Sequence, residues 1–240
     1  MKNINFIESI DKDKASKKVA EQFIEIVNKV DNPVFCLPTG NSPVLTYNHI
    51  IDDYKKNKTS WKNVRTYNLD EYAGIRVEHP KSFRSFMLDS LFNHIDIDKS
   101  KTFFPNPIGD LDKNSLEYEN QIKNEKQFDL TLLGIGIDGH IAYNEPGSKI
   151  NSKTRWVHLH NSTIDLINKD FKDESFVPHF GITMGVETII KNSNKIILIA
   201  FGESKRNALE ILKKGKLDKN ITATALLKHK NVEIWTDLKL

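Results

Sequence analysis

A chain of 240 residues with 38% hydrophobic and 28% charged side chains has a globular composition and is long enough to bury a core without disulfide or metal staples. Its 35 basic and 32 acidic side chains leave a formal net charge of +3, with lysines and acids interleaved as in DKDKASKK and IDDYKKNK, which argues against the basic face that nucleic-acid binding needs. The single cysteine, Cys36, excludes an intrachain disulfide, and no run reaches the roughly 18 apolar residues of a membrane span.

The first ten residues show neither a sustained apolar segment nor a small-residue cleavage pattern, so a cytoplasmic protein is expected. Between residues 11 and 30, Ala15, Val19, Phe23, Ile26, Val27 and Val30 recur every three to four positions and predict a helix, which Asp31-Asn32-Pro33 stops. VFCLP then predicts a buried strand. After the turn TGNSP, Val44, Tyr47, Ile50 and Ile51 form the apolar face of a second helix, with Pro43 suited to its first turn. VRTYNL predicts the next strand, leading into DEYAG. Helices follow over SFRSFMLDSLFNHI and near 113–126, and FDLTLLGIGI predicts a strand ending at Asp138. WVHLH reads as a further strand. A helix over 183–191, the strand KIILIAF, the helix ESKRNALEILKKG and the short strand VEIW complete the pattern. Strands alternating with helices over the whole length predict an α/β fold: an open, mainly parallel, doubly wound sheet covered on both faces. No repeat or low-complexity linker divides the chain, and one domain over 1–240 is expected.

In such a sheet, ligands lie beyond the carboxyl ends of the strands, which singles out four places. In Pro38-Thr39-Gly40-Asn41-Ser42-Pro43, Gly40 allows close backbone approach, Ser42 offers a hydroxyl, and the following helix presents unpaired N–H groups to an anion. A phosphate would fit, although the segment is neither a Walker A motif nor GxGxxG, and a tight turn with a cap is the simpler alternative. Second, Asp70 and Glu71 close the strand VRTYNL. Adjacent acids point differently, so only one should face the cleft as a general base, with a helix cap at Asp70 as the alternative. Third, LGIGIDGHIAYNEP gathers three glycines, Asp138, His140 and Glu145 behind an apolar strand. These three are poor zinc ligands, with no cysteine or second histidine nearby and no HExxH spacing. An imidazole tuned by carboxylates suits proton exchange at neutral pH. Fourth, Lys205 in GESK enters a helix after a strand and could meet a phosphate or stay on the surface.

Taken in order, PTGNSPVLTY, YNLDEYAG, SFRSFM, LLGIGIDGHIAYNEPGS, SKTR and GESK resemble the glucosamine-6-phosphate deaminases over essentially the whole chain. The pair LDEY and GxGxDGHIAxNEP is highly specific to that family, whereas 6-phosphogluconolactonases and sugar-phosphate-sensing regulators share the wider superfamily without the full set. The resemblance implies a modified Rossmann-like three-layer α/β fold and conversion of D-glucosamine 6-phosphate and water to D-fructose 6-phosphate and ammonia, in amino sugar catabolism, without a redox or metal cofactor. By the same resemblance Asp70 is the enolisation base, His140 the ring-opening acid–base group, and Asp138 and Glu145 the carboxylates that support it. Gly40, Asn41, Ser42, Gly136 and Lys205 are implied in binding substrate or phosphate, with Arg155 of SKTR as their neighbour. The chain departs from its relatives in two places. Where many carry a phosphate-binding arginine before VP, NSTIDLINKDFKDESFVP offers Lys169. The allosteric members have a longer C-terminus than WTDLKL, so effector activation and its hexamers are not expected, and a monomer or small homo-oligomer is.

Overall fold

The computed structural model describes residues 4–9, 11–172 and 176–240. Along the chain, β1 (Ile4–Glu8) feeds α1 (Lys12–Lys29), and β2 (Val34–Leu37) feeds α2 (Val44–Asn57). Next come β3 (Arg65–Asn68), β4 (Asp70–Tyr72) and the short α3 (Phe83–Met87), which continues as a π-helical turn over Leu88–Phe92. The middle of the chain supplies β5 (Thr102–Phe103), α4 (Leu111–Asn124) and β6 (Leu130–Leu133). The remainder runs β7 (Arg155–His158), α5 (Asn161–Asp170), β8 (Phe180–Thr183), α6 (Val186–Lys191), β9 (Ile196–Ala200), α7 (Arg206–Lys213) and β10 (Val232–Thr236).

Seven strands form one sheet in the order β1-β10-β9-β6-β2-β3-β5, parallel at every pairing. Its central members β2, β6 and β9 are buried at every residue, as strands covered on both faces must be. Alternation then sorts the side chains. Val34 and Cys36 of β2 join a core containing Tyr118 and Ile122 of α4, Ile189 of α6 and Leu209 and Leu212 of α7. Phe35 and Leu37 turn to the opposite core, with Val19 and Phe23 of α1 and Tyr47 and Ile50 of α2. The result is the expected three-layer, doubly wound α/β fold. No described helix is long and apolar enough to cross a membrane.

Several local expectations are revised. The strand expected over 128–137 ends at Leu133, because glycines 134 and 136 open the loop that follows. The helix expected from 183 starts at Val186, and residues 180–183 are β8 instead. WVHLH forms β7, but in a second, antiparallel sheet ordered β4-β8-β7. The edge strand β1, set by its pairing from Ile4↔Val232 to Glu8↔Thr236, and the helix α5 have no counterpart in the predicted elements.

That second sheet places the site. Leu69 joins the two sheets: its N–H donates to the Leu37 carbonyl at 3.2 Å, and its own carbonyl accepts from the Met184 N–H at 2.8 Å. The chain leaves the parallel sheet at Asn68 and re-pairs one residue later, with Asp70 opposite Thr183. Asp70 is thereby held at the carboxyl end of β3, where the two sheets diverge.

Candidate active site

A cleft of about 310 Å³ opens at the carboxyl ends of β2, β3 and β6, the position the topology favours for ligands. Residues 38–42 form one side, Asp70 and Tyr72 the base, Gly134, Ile135, Gly136, His140, Ala142 and Tyr143 a second side, and Thr163, Leu166, Ile167 and Asp170 of α5 the third.

The loop after β2 turns at Gly40, whose φ of +86° is a left-handed value that a side chain would strain. The Tyr47 hydroxyl donates to the Pro38 carbonyl at 2.6 Å and anchors the loop to α2. That helix begins without a side-chain cap and without an acid in its first turn, so its first N–H groups and positive dipole end suit an anion. Gly40, Asn41 and Ser42 all line the cleft beside it. Pro43 takes the cap position instead of the first turn.

Asp70 and Glu71 divide as strand alternation requires. Asp70 lines the cleft, while Glu71 is fully buried and absent from the lining. Asp70 opens β4 and caps no helix. Burial first, and the neighbouring Glu71 charge second, push the Asp70 carboxyl up to about 8, into the range where a carboxylate exchanges protons near neutral pH.

The loop after β6 closes on itself. The Gly136 N–H donates to the His140 carbonyl at 2.8 Å and the Gly139 N–H to the Gly136 carbonyl at 3.1 Å. The imidazole of His140 rests directly on Gly136, where a Cβ would stand 2.4 Å from its Cε1. Asp138 Oδ1 lies 2.7 Å from His140 Nδ1. Partial burial would raise the Asp138 carboxyl, but the hydrogen bond and charge of His140 prevail and hold it below its usual value. Ala142, also on the cleft, takes a left-handed φ of +49°, a local strain of the kind that clusters at functional sites.

The other predicted residues stand further back. Glu145 accepts the His160 N–H and the Thr163 hydroxyl, each at 2.5 Å, and so pins the start of α5 instead of touching His140. Arg155 donates to Asn144 Oδ1 at 3.0 Å and to Ser148 Oγ at 3.2 Å, which ties its guanidinium to the loop after His140 and away from the cleft lining. Lys205 is half-buried in the turn before α7. Burial lowers its pKa, and the nearby Asp138 charge opposes that shift. Lys169 is exposed on α5, and its neighbour Asp170 is the residue on the cleft.

Sequence reasoning missed the aromatic wall. The Tyr72 ring packs tilted against Phe83, with centroids 4.5 Å apart, and stands 6.1 Å from Tyr143, and all three line the cleft. The signal was available in part, since Tyr72 lies two residues beyond Asp70 and shares its face of the strand. Among the described residues no three His, Cys, Asp or Glu side chains converge as a metal site would need.

A three-layer parallel α/β chain with an anion loop, a buried carboxylate and an Asp–His pair on one cleft is built like the enzymes that act on sugar phosphates. Residues 10–235 match the family described as glucosamine-6-phosphate isomerases/6-phosphogluconolactonase, and the chain belongs to that family. Within it, the chain is 40% identical to a glucosamine-6-phosphate deaminase of Malacoplasma penetrans over 97% of its own length and 98% of that protein's. A deaminase of Shewanella halifaxensis is 42% identical over 93% of this chain and 87% of its own. A solved structure described as a monomeric glucosamine-6-phosphate deaminase superposes with a TM-score of 0.92 at 33% identity, covering 97% of this chain and 96% of that one. The 6-phosphogluconolactonase of Thermotoga maritima, at 18% identity and a TM-score of 0.74 over 97% of both chains, shares the fold.

Proposed function

We infer that the chain is a glucosamine-6-phosphate deaminase, converting D-glucosamine 6-phosphate and water to D-fructose 6-phosphate and ammonia in amino sugar breakdown. The observation that carries the reading is the presence of Asp70 and His140 on one cleft beside an open helix N-terminus. Near-full-length relatives described as deaminases support the same reaction.

The chemistry needs two proton-transfer stations. His140, oriented by Asp138 on Nδ1, serves the ring oxygen and the C1 hydroxyl and opens the sugar to its aldehyde. Only then is the C2 proton acidic. Asp70 takes that proton, giving an enolamine, and returns a proton to C1; the resulting C2 imine adds water and releases ammonia. The phosphate, held at Gly40, Asn41 and Ser42 with Lys205 of the turn before α7 as its proposed counter-charge, supplies remote binding that aligns C1 and C2 with both stations. The aromatic wall of Tyr72, Phe83 and Tyr143 limits water at the reacting carbons. Glu145 acts through α5, which forms one wall of the site. Arg155 steadies the loop that carries His140. One catalytic domain over 1–240, a cytoplasmic location and a monomer or small homo-oligomer belong to the same reading; the monomeric description of the 33% identical relative supports the simplest state.

The test is direct. Purified protein incubated with glucosamine 6-phosphate is expected to release ammonia and fructose 6-phosphate in equal amounts. Folded protein that yields neither, or that hydrolyses 6-phosphogluconolactone without ammonia release, sinks the reading in favour of the lactonase branch.

A further inference from the structure

Glu71 is the one acid in the Asp70 strand that the mechanism leaves unused, and it is fully buried. Its carboxylate is saturated by backbone donors: Oε1 accepts the Tyr72 and Phe83 N–H groups, each at 2.9 Å, and Oε2 accepts the Arg84 N–H at 3.0 Å. Phe83 and Arg84 are the first two residues of α3, so the side chain spans from the strand carrying Asp70 to the helix carrying Phe83. Phe83, Tyr72 and Asp70 all face the cleft. A buried charge satisfied only by main-chain N–H groups is costly to assemble, and its place immediately behind the base points to a role beyond packing.

We propose that Glu71 is a positioning residue of the deaminase site, whose carboxylate locks Asp70 and Phe83 in one arrangement and sets a negative charge directly behind the base. The proposal rests on the deaminase reading above. Around Asp70 stand Cys36 of β2, Tyr118 of α4 and Tyr72 and Tyr143 of the cleft wall, with His140 and Asp170 on the same cleft. The thiol and phenols are neutral near pH 7, since each is pushed up by burial, which leaves Glu71 as the adjoining anion. Burial raises Glu71 as well, to about 7, against the opposing pull of its three N–H donors. Those donors favour the charged form of Glu71, and that charge raises the Asp70 carboxyl.

Two variants separate reach from charge. Glu71→Gln keeps the length but loses the charge and one acceptor for the α3 N–H groups. It is expected to lower kcat at least about tenfold with KM nearly unchanged, and to move the acid limb of the kcat/KM profile about one pH unit lower. Glu71→Asp keeps the charge but falls a methylene short of α3, so kcat is expected to fall with the acid limb in place. A folded Glu71→Gln protein with the wild-type kcat and acid limb overturns the proposal. Should neither variant fold, a ¹³C NMR titration of the wild-type carboxyl groups decides instead: coupled, two-step titration of Asp70 and Glu71 is expected, and independent single steps with Asp70 in the ordinary carboxylate range overturn the proposal. That titration needs no turnover, so it stands apart from the ammonia assay that tests the reaction.

Discussion

The imidazole Nδ1 of His140 lies 2.7 Å from Oδ1 of Asp138, and the same carboxylate oxygen accepts the His140 backbone N–H at 3.2 Å. The contact sets Nδ1 against the carboxylate, and in the deaminase reading it orients the ring so that Nε2 is left for proton exchange with the sugar. Asp138→Asn removes the charge and permits the other tautomer. It is expected to lower kcat/KM for glucosamine 6-phosphate by about 10²-fold while leaving the circular dichroism spectrum unchanged; a value within twofold of wild type would exclude an orienting role.

Asp70→Asn leaves the shape of the cleft base intact but cannot take a proton. Exchange of the C2 hydrogen with solvent deuterium is expected to stop, and ammonia release to fall by at least about 10²-fold, with substrate binding largely retained. Normal exchange in the variant would assign the base elsewhere.

The same substitution has an opposite effect on stability. Asp70 ionises at about 8 in the folded chain, raised by burial and then by Glu71, against an ordinary carboxyl value near 4 when unfolded. The folded state therefore binds more protons between those values, and wild-type stability declines as pH rises from about 4 through about 8. Asp70→Asn escapes this loss. Its Tm relative to wild type is expected to rise from pH 5 to pH 8 by at least about 2 °C, as differential scanning fluorimetry would read; a pH-independent difference would place the Asp70 ionisation elsewhere.

Gly136→Ala tests the seat of the histidine. The added Cβ would meet the imidazole at 2.4 Å from Cε1, closer than any real contact, so the ring must leave its place beside Asp138. Activity is expected to fall at least about 10²-fold, because a displacement of about 1 Å is enough to do so. If the variant keeps wild-type kcat, His140 does not act from this position.

Away from the cleft, Glu119 of α4 accepts the Thr154 N–H at 3.0 Å and the hydroxyls of Thr154 and Thr188 at 2.7 Å each. Burial raises its carboxyl, yet these bonds and Lys123 outweigh burial and hold it below the usual value. The bonds join α4 to the turn before β7 and to α6. Glu119→Ala is expected to cost about 3 kcal/mol in urea denaturation near neutral pH. Because the folded carboxyl ionises lower than the unfolded one, that contribution is present above the unfolded value and disappears as pH falls through the folded one. An unchanged midpoint would show that the bonds contribute nothing net.

Much of the site is legible in the residues alone. The glycine loop at Gly40–Ser42, the opposite facing of Asp70 and Glu71 and the pairing of Asp138 with His140 all follow from local rules: a glycine turn after a buried strand, strand alternation, and a two-residue spacing within one tight loop. Glu145 and Arg155 are legible only as chemistry. Their partners, Thr163 and His160 for one and Asn144 and Ser148 for the other, depend on how the loop after His140 packs against α5 and β7, which spacing does not encode. The aromatic wall and Asp170 require two elements distant in the chain to meet.

The alternation of apolar strands and amphipathic helices, the glycines that shape the loops after β2 and β6, and the placing of Asp70 and of Asp138 with His140 just beyond strands are readable from the sequence, because each depends on neighbours within a few residues. Three features emerge from long-range packing alone: the chain leaves the parallel sheet at Leu69 to pair Asp70 with Thr183, β1 pairs with β10 at the sheet edge, and Glu71 reaches the start of α3. Those outcomes turn on main-chain hydrogen bonds between segments up to some 230 residues apart, and the backbone carries the same donors and acceptors at nearly every position. Which of them meet is settled by packing the whole core.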